Sequence, residues 1–276
     1  MRRFWVLFSS IATSIGLLSL STPVVAQIVL RPPAPASGNE LIINGTKRSD
    51  PHNWPSTLWF ATSNAPKAEI CTGTIIGPRV ILTAAHCLEN EDAGGVVELG
   101  HVSIPVQCSR HPDYSRDLLS PATVLDVALC RATAPLTPLF GGTYETIGGS
   151  SEEVPIGQSV VFLGFGCRGR FGGGPTGELW EGTAIRIAMD TGNEYMVTDG
   201  GAAICSGDSG GSVYKTMRSG LSRLVVAIIS RGDFEHKSFM APLSLPRIWT
   251  FIQTWATKHG LPICGVSPLP QGTCHA

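Results

Sequence analysis

The stretch Cys205-Ser206-Gly207-Asp208-Ser209-Gly210-Gly211 decides how the rest of the chain is read. A serine hydroxyl is almost fully protonated at neutral pH and is a poor nucleophile alone. It needs a base to take its proton and donors to hold the charge that develops on an attacked carbonyl oxygen. The glycines around Ser209 suit the second need, because they let the backbone turn sharply and aim the N–H groups of Gly207 and Ser209 into one small space. Asp208 is a charge beside a loop that must be partly buried, and it calls for a partner. Gly, Ser and Asp also dominate ordinary surface turns, so this stretch alone leaves both readings open.

Two further stretches change the balance. Thr83-Ala84-Ala85-His86-Cys87 ends the strand-forming run Arg79-Val80-Ile81-Leu82, and Val124-Leu125-Asp126-Val127-Ala128-Leu129 places an acid inside an apolar run. A charge in such a run is costly unless it is paired. His, then Asp, then Ser is the chain order of one known triad arrangement. Here the sequence resembles the chymotrypsin/trypsin-like serine proteases, through Thr83–Cys87, Asp126–Leu129 and Gly207–Gly211. Ile42-Ile43-Asn44-Gly45 is similar to the mature N-terminus of that family. The resemblance covers about residues 42–256. It implies an all-β, trypsin-like fold of two packed six-stranded antiparallel barrels with a C-terminal helix.

The composition is that of a globular protein with ample apolar residues for a core. A formal charge of −1 gives no sign of nucleic acid or of an acidic membrane as partner. A protein or peptide substrate and a monomeric state are expected. Residues 1–26 read as a signal peptide, with Arg2 and Arg3, an apolar stretch from Phe4 to Leu20, and Val24-Val25-Ala26 before a cut at Gln27. The alternative, an uncleaved anchor, is poorly served by a short stretch diluted with Ser and Thr. Signal removal would leave no stable membrane association and a secreted or periplasmic protein. An oxidising compartment suits the eight cysteines. Residues 27–41, with Arg31-Pro32-Pro33-Ala34-Pro35 at their centre, read as a pro-segment or linker that buries no core.

The protease domain is expected over 42–260, with barrels at about 42–140 and 155–244 and a helix at 245–259. Short β-rich runs separated by Pro, Gly, Asn and Asp recur from Thr57 onward, and residues 132–157 read as a crossing segment. For the helix, Ser244 is the expected cap, Pro246 lies in the first turn and Gly260 is the stop. Trp249, Ile252 and Trp255 give it one apolar face for the second barrel. Residues 261–276 form a tail closed by a local disulfide.

The resemblance also assigns roles. His86 is the base, Asp126 orients its ring, and Ser209 is the nucleophile. The Gly207 and Ser209 N–H groups form the oxyanion hole. Ser206, Ser230, Arg231 and Gly232 line the substrate path, with Ser230 also supporting Asp126. Activation pairs the new α-amino group of Ile42 with Asp208 after a cut behind Leu41. No cofactor or metal is called for, since the cysteines lack paired zinc-type spacing. Where trypsin carries an acid at the floor of its primary pocket, this chain has Ala203 followed by Ile204, with Ser238 aligned to the opposite wall. An uncharged, small-to-medium apolar residue is therefore expected before the cut. Arg231 replaces the family's usual aromatic and favours acidic side chains upstream.

For the disulfides, Cys71 and Cys87 bracket His86 as in the family, and Cys108 and Cys130 lie on strands that the implied first barrel makes neighbours. Cys264 and Cys274 are local to the tail. The family's usual partner for Cys205 is missing, so it is either free or joined to Cys167, the cysteine left over. Two rival readings remain: a catalytically silent binding protein on the same fold, which would be favoured by loss of a triad member, and an esterase of another fold. Gly207-Asp208-Ser209-Gly210-Gly211 fits the bare esterase pattern, but that fold places its histidine last in the chain, whereas His86 lies upstream.

Overall fold

The computed structural model describes residues 28–33, 49–62, 69–167, 169, 173–174, 176–189, 192, 194–216 and 222–275. Two closed barrels account for most of them. The first runs in the order β1 (Ile28–Arg31), β2 (Thr57–Thr62), β3 (Ile70–Gly77), β4 (Val80–Thr83), β7 (Ala128–Ala132), β6 (Val102–Arg110) and β5 (Asp92–Leu99). The second runs β10 (Met196–Gly201), β13 (Lys237–Pro242), β12 (Arg223–Gly232), β11 (Ser212–Thr216), β8 (Ser159–Gly164) and β9 (Trp180–Met189). A helix, α1 (Pro246–His259), follows.

The sequence explains the strands. In β9 the alternation places Trp180, Gly182, Ala184 and Arg186 inward while Thr183, Ile185 and Ile187 face out. The inward Arg186 is tolerated because Glu153 pairs with it at 2.8 Å. In β12 the run Val225-Val226-Ala227-Ile228-Ile229 is buried throughout, as a strand covered on both faces requires. The barrels meet where Thr74 of β3 and Ser212 of β11 share a buried hydroxyl hydrogen bond of 2.8 Å.

The first barrel has seven strands, not six, because Ile28–Arg31 joins it. The packed chain therefore begins before Ile42. This strand inserts between β2 and β5, antiparallel to the first and parallel to the second, so the barrel is not wholly antiparallel. Ile28 and Leu30 point into the core at 2% and 0% exposure. Each such burial contributes about 1.5–3 kcal/mol. Gly95 on β5 makes room: a Cβ there would lie 2.3 Å from the Ile28 carbonyl oxygen. Outside the barrel, Arg31 pairs with Glu98 at 2.6 Å and lies over the Trp59 ring. The Pro-rich residues that follow steer a sequence reading toward a linker and hide the short apolar alternation of Ile28-Val29-Leu30-Arg31.

Other differences are local. Asp126 sits not within a strand but just after a 3-10 turn, Pro121–Leu125, which Ser120 caps through the Ala122 N–H. The cap of α1 is Leu245, without a side-chain bond, rather than Ser244. Its buried face is Ile248, Ile252, Trp255 and Ala256, with Trp249 only half-buried. Phe251 stacks on His111 at 4.9 Å, so the helix also leans on the end of β6. Gly260 closes it in the left-handed conformation at φ 60°. The tail then docks on the first barrel through Cys264 N–H to the Ile76 carbonyl, 2.8 Å.

Candidate active site

The site is built where the two barrels face each other. His86 lies in a one-turn 3-10 segment, Ala85–Cys87, directly after β4. Its backbone N–H donates to Asp126 Oδ1 at 2.8 Å, and its ring Nδ1 lies 2.6 Å from Oδ2. The Ser230 hydroxyl, near the end of β12, donates to the same Oδ2 at 2.6 Å. Asp126 has a side-chain exposure of 2%, so these groups stand in for water. Burial, the largest influence, would push its carboxyl up; the charge of His86 and the surrounding hydrogen bonds outweigh it, and the pKa is held below the ordinary value. For His86, burial would hold the imidazolium down, but the Asp126 charge and hydrogen bond prevail and the pKa is raised. The His86 side chain keeps 30% exposure, enough to meet a ligand.

Ser209 is brought to the same surface by β3. Thr72 N–H donates to the Ser209 carbonyl at 2.7 Å, and the Thr72 hydroxyl donates to the Gly207 carbonyl at 3.0 Å. Thr83, three residues before His86, donates its hydroxyl to the Thr72 carbonyl at 2.8 Å. The Cys71–Cys87 disulfide closes the group, with Cys87 Sγ 3.7 Å from the Ser209 carbonyl oxygen. A Cβ on Gly210 would lie 2.3 Å from Thr83 Oγ1, so the loop approaches as closely as a glycine permits. Nothing in the sequence singles out Thr72; its role follows from the strand register alone.

Gly207 has φ +105°, a conformation that needs glycine. Its N–H and that of Ser209 donate to no described residue, and the Ser209 hydroxyl is likewise without a partner among the described residues. Hydrogen bonds of a nucleophile are commonly loose before a substrate excludes water.

Beside this loop, Ala203 and Ile204 are buried at 3% each. Ile204 N–H donates to the Ser238 hydroxyl at 3.2 Å. Gly232 sits opposite Ser238 in the β12–β13 register, and a Cβ on it would lie 2.8 Å from Ile204 Cγ1. The Ile204 side chain thus fills the space between the two walls. Ser206, two residues on, is exposed.

All eight cysteines are bridged, as Cys71–Cys87, Cys108–Cys130, Cys167–Cys205 and Cys264–Cys274. These are the four pairs reached from the sequence once Cys205 is joined to Cys167. Cys71, His86 and Cys87 cluster closely enough to suggest a metal site, but both sulfurs are spent in a disulfide and offer no thiolate.

The Trypsin family model matches residues 43–243. The chain belongs to the trypsin family. Brachyurin of Leptuca pugilator is 26% identical to this trypsin-family chain over 240 residues, covering 79% of the chain and 99% of the relative. Tryptase of Mus musculus is 32% identical over 161 residues, covering 54% of the chain and 57% of the relative. Serine protease 28 of Mus musculus is 34% identical over 108 residues, covering 34% and 38%. No helix among the described residues is long and apolar enough to cross a membrane.

A second buried acid of this trypsin-family site stands apart from the first. Asp208 accepts from Gly166 N–H at 2.7 Å and from Cys205 N–H at 2.8 Å. The Cys167–Cys205 bridge holds both donors in place. Among the described residues no cation pairs with Asp208; Ile42 lies outside them. Burial pushes its pKa to about 6, and the two backbone bonds only moderate the rise. Below the usual 3.8 the group is protonated whether the chain is folded or not. Between 3.8 and about 6 the unfolded chain ionises this group while the folded chain resists, so stability falls across that window and levels off above it. The cost is about 3 kcal/mol. In the uncut chain, wild type should therefore gain on Asp208→Asn by up to about 3 kcal/mol as pH falls from about 7 to about 4. Denaturant unfolding across that range checks this, and parallel stability curves for the two proteins would contradict it.

Proposed function

We propose that the chain is a secreted serine endopeptidase that works through an acyl-enzyme. The observation that supports this most is the buried Asp126 carboxylate, held by both His86 bonds and by Ser230. It fixes the ring with Nδ1 inward and leaves Nε2 to take a proton. In this reading Ser209 Oγ attacks the scissile carbonyl as its proton passes to His86 Nε2. The Gly207 and Ser209 N–H groups hold the resulting oxyanion. His86 gives the proton to the leaving amine, and water repeats the sequence to release the acid. The raised pKa makes His86 a stronger base. Because the base must be neutral, turnover rises with pH through that raised value.

The substrate would lie along β12. The ladder with β11 ends at Ser212 and Ile228, and Ile229 still bonds Gly210 and Gly211; beyond it, the β11-side edge of Ser230–Gly232 has no backbone partner among the described residues. An extended peptide can add there as a strand. Its residue before the cut would face Ile204, where space is short and the apolar side chains of Ala203 and Ile204 offer a substrate cation no partner. We expect cleavage after uncharged, small-to-medium apolar residues. Ile204→Gly should shift preference toward larger residues such as Leu or Phe by about tenfold or more, since each methylene of pocket space is worth about 1–3 kcal/mol. A peptide library cut by both proteins reads this out, and dominant cleavage after Arg or Lys would contradict it.

Residues 1–26 are proposed as the signal peptide and Leu41–Ile42 as the activating cut, with the tail bounds as read from the sequence and the first barrel extended back to Ile28. A small cavity walled by Phe162, Trp180, Ala203 and Ile204 opens beside Asp208. At about 10 Å³ it holds no more than a water-sized group, so a new Ile42 terminus would reach the carboxylate only as these walls part. The cut would separate β1 from the domain, yet Ile28 and Leu30 are core residues of the first barrel. The fragment Gln27–Leu41 should therefore stay bound without a covalent link. Native mass spectrometry of the active enzyme should find both pieces together, and denaturing conditions should split them. A fully active protein with an intact Leu41–Ile42 bond would remove the activation reading; an active enzyme lacking the fragment would remove its retention.

A further inference from the structure

Beside His86 lies a cleft of about 300 Å³, lined among others by Tyr114, Arg116, Tyr195, Ser230 and Arg231 and not by Ile204. Its charges are unbalanced. Arg231 lies over the Tyr195 ring at 4.5 Å and near Phe239 at 5.8 Å. No carboxylate among the described residues pairs with it. Arg116 is anchored through one nitrogen, which donates to the His86 carbonyl at 3.2 Å and the Leu88 carbonyl at 2.5 Å. Its other donors meet no acceptor among the described residues. The acid of the cleft, Asp126, is committed to His86 and Ser230.

The open edge of β12 fixes which part of a substrate reaches these cations. Side chains of an extended peptide alternate between faces. If the residue before the cut faces Ile204, the second and fourth residues upstream face His86, Arg116 and Arg231. We propose that Arg231, assisted by Arg116, selects substrates with an acidic side chain at the second or fourth position upstream of the cut. This rests on the peptide-binding path proposed above. A guanidinium already held over aromatic rings loses little freedom on binding, and its planar fork matches a carboxylate.

The test uses peptides identical except for Glu, Gln or Lys at the second or the fourth position. Binding to Ser209→Ala protein is followed by fluorescence anisotropy, and cleavage by wild type is followed in parallel. Glu should exceed Gln by about 10- to 100-fold at one of the two positions in binding and in kcat/KM, the range of a charged hydrogen bond. Lys should be worst. Arg231→Gln should bring the Glu-to-Gln ratio near one, and Arg231→Glu should reverse the order of Glu and Lys. Equal binding of Glu and Gln peptides at both positions, or a ratio untouched by Arg231→Gln, would overturn the proposal. Selective binding without cleavage would sustain it while sinking the peptidase reading, so the two failures are distinct.

Discussion

A carboxylate removed from water is tolerated only where donors take the water's place. Asp126 meets that condition with groups from both halves of the molecule: His86 from the end of β4 and Ser230 from β12. Neither barrel satisfies it alone. Breaking a buried arrangement of this kind costs about 3–5 kcal/mol, so the requirement fixes how the barrels meet as well as how the imidazole points. The same requirement explains why the 3-10 turn before Asp126 is capped by Ser120 rather than left loose.

The other half of the site is held by backbone and disulfides. Thr72 pins the loop carrying Ser209 from the first barrel, while the Cys167–Cys205 bridge fixes it from the second. Asp208 is the counterpoint to Asp126: also buried, but with backbone donors alone among the described residues. One buried acid is matched where it stands; the other is a carboxylate with a cavity beside it. That contrast separates a carboxylate matched by side chains from one held, among the described residues, by the backbone alone.

Much of this was legible in the sequence because the chemistry needs rare combinations. A histidine beside a cysteine, an acid in an apolar run and a serine among glycines each carry a cost that a bland turn or strand would avoid. The barrels were legible as two sets of β-rich runs. The seventh strand was not, because four residues of alternation cannot outweigh the prolines that follow, and only the fit against Gly95 reveals it. Thr72 and the helix cap were hidden for a related reason: strand register and cap geometry are set by tertiary neighbours rather than by local pattern. Ile204 was visible as an apolar residue near the pocket floor, but its packing on Gly232 emerges only in three dimensions.

The central claim is that Ser209, His86 and Asp126 act as one chemical unit. Its most direct measurement is the rate at which a fluorophosphonate modifies the purified mature protein, with the adduct located by peptide mapping. The account predicts a single adduct on Ser209. It also predicts that Asp126→Asn slows the reaction by about 10⁴-fold, a figure borrowed from the response of another member of the family. A correctly folded protein, with its four disulfides intact, that takes no adduct at Ser209 would contradict it, as would an Asp126→Asn variant that reacts as fast as wild type.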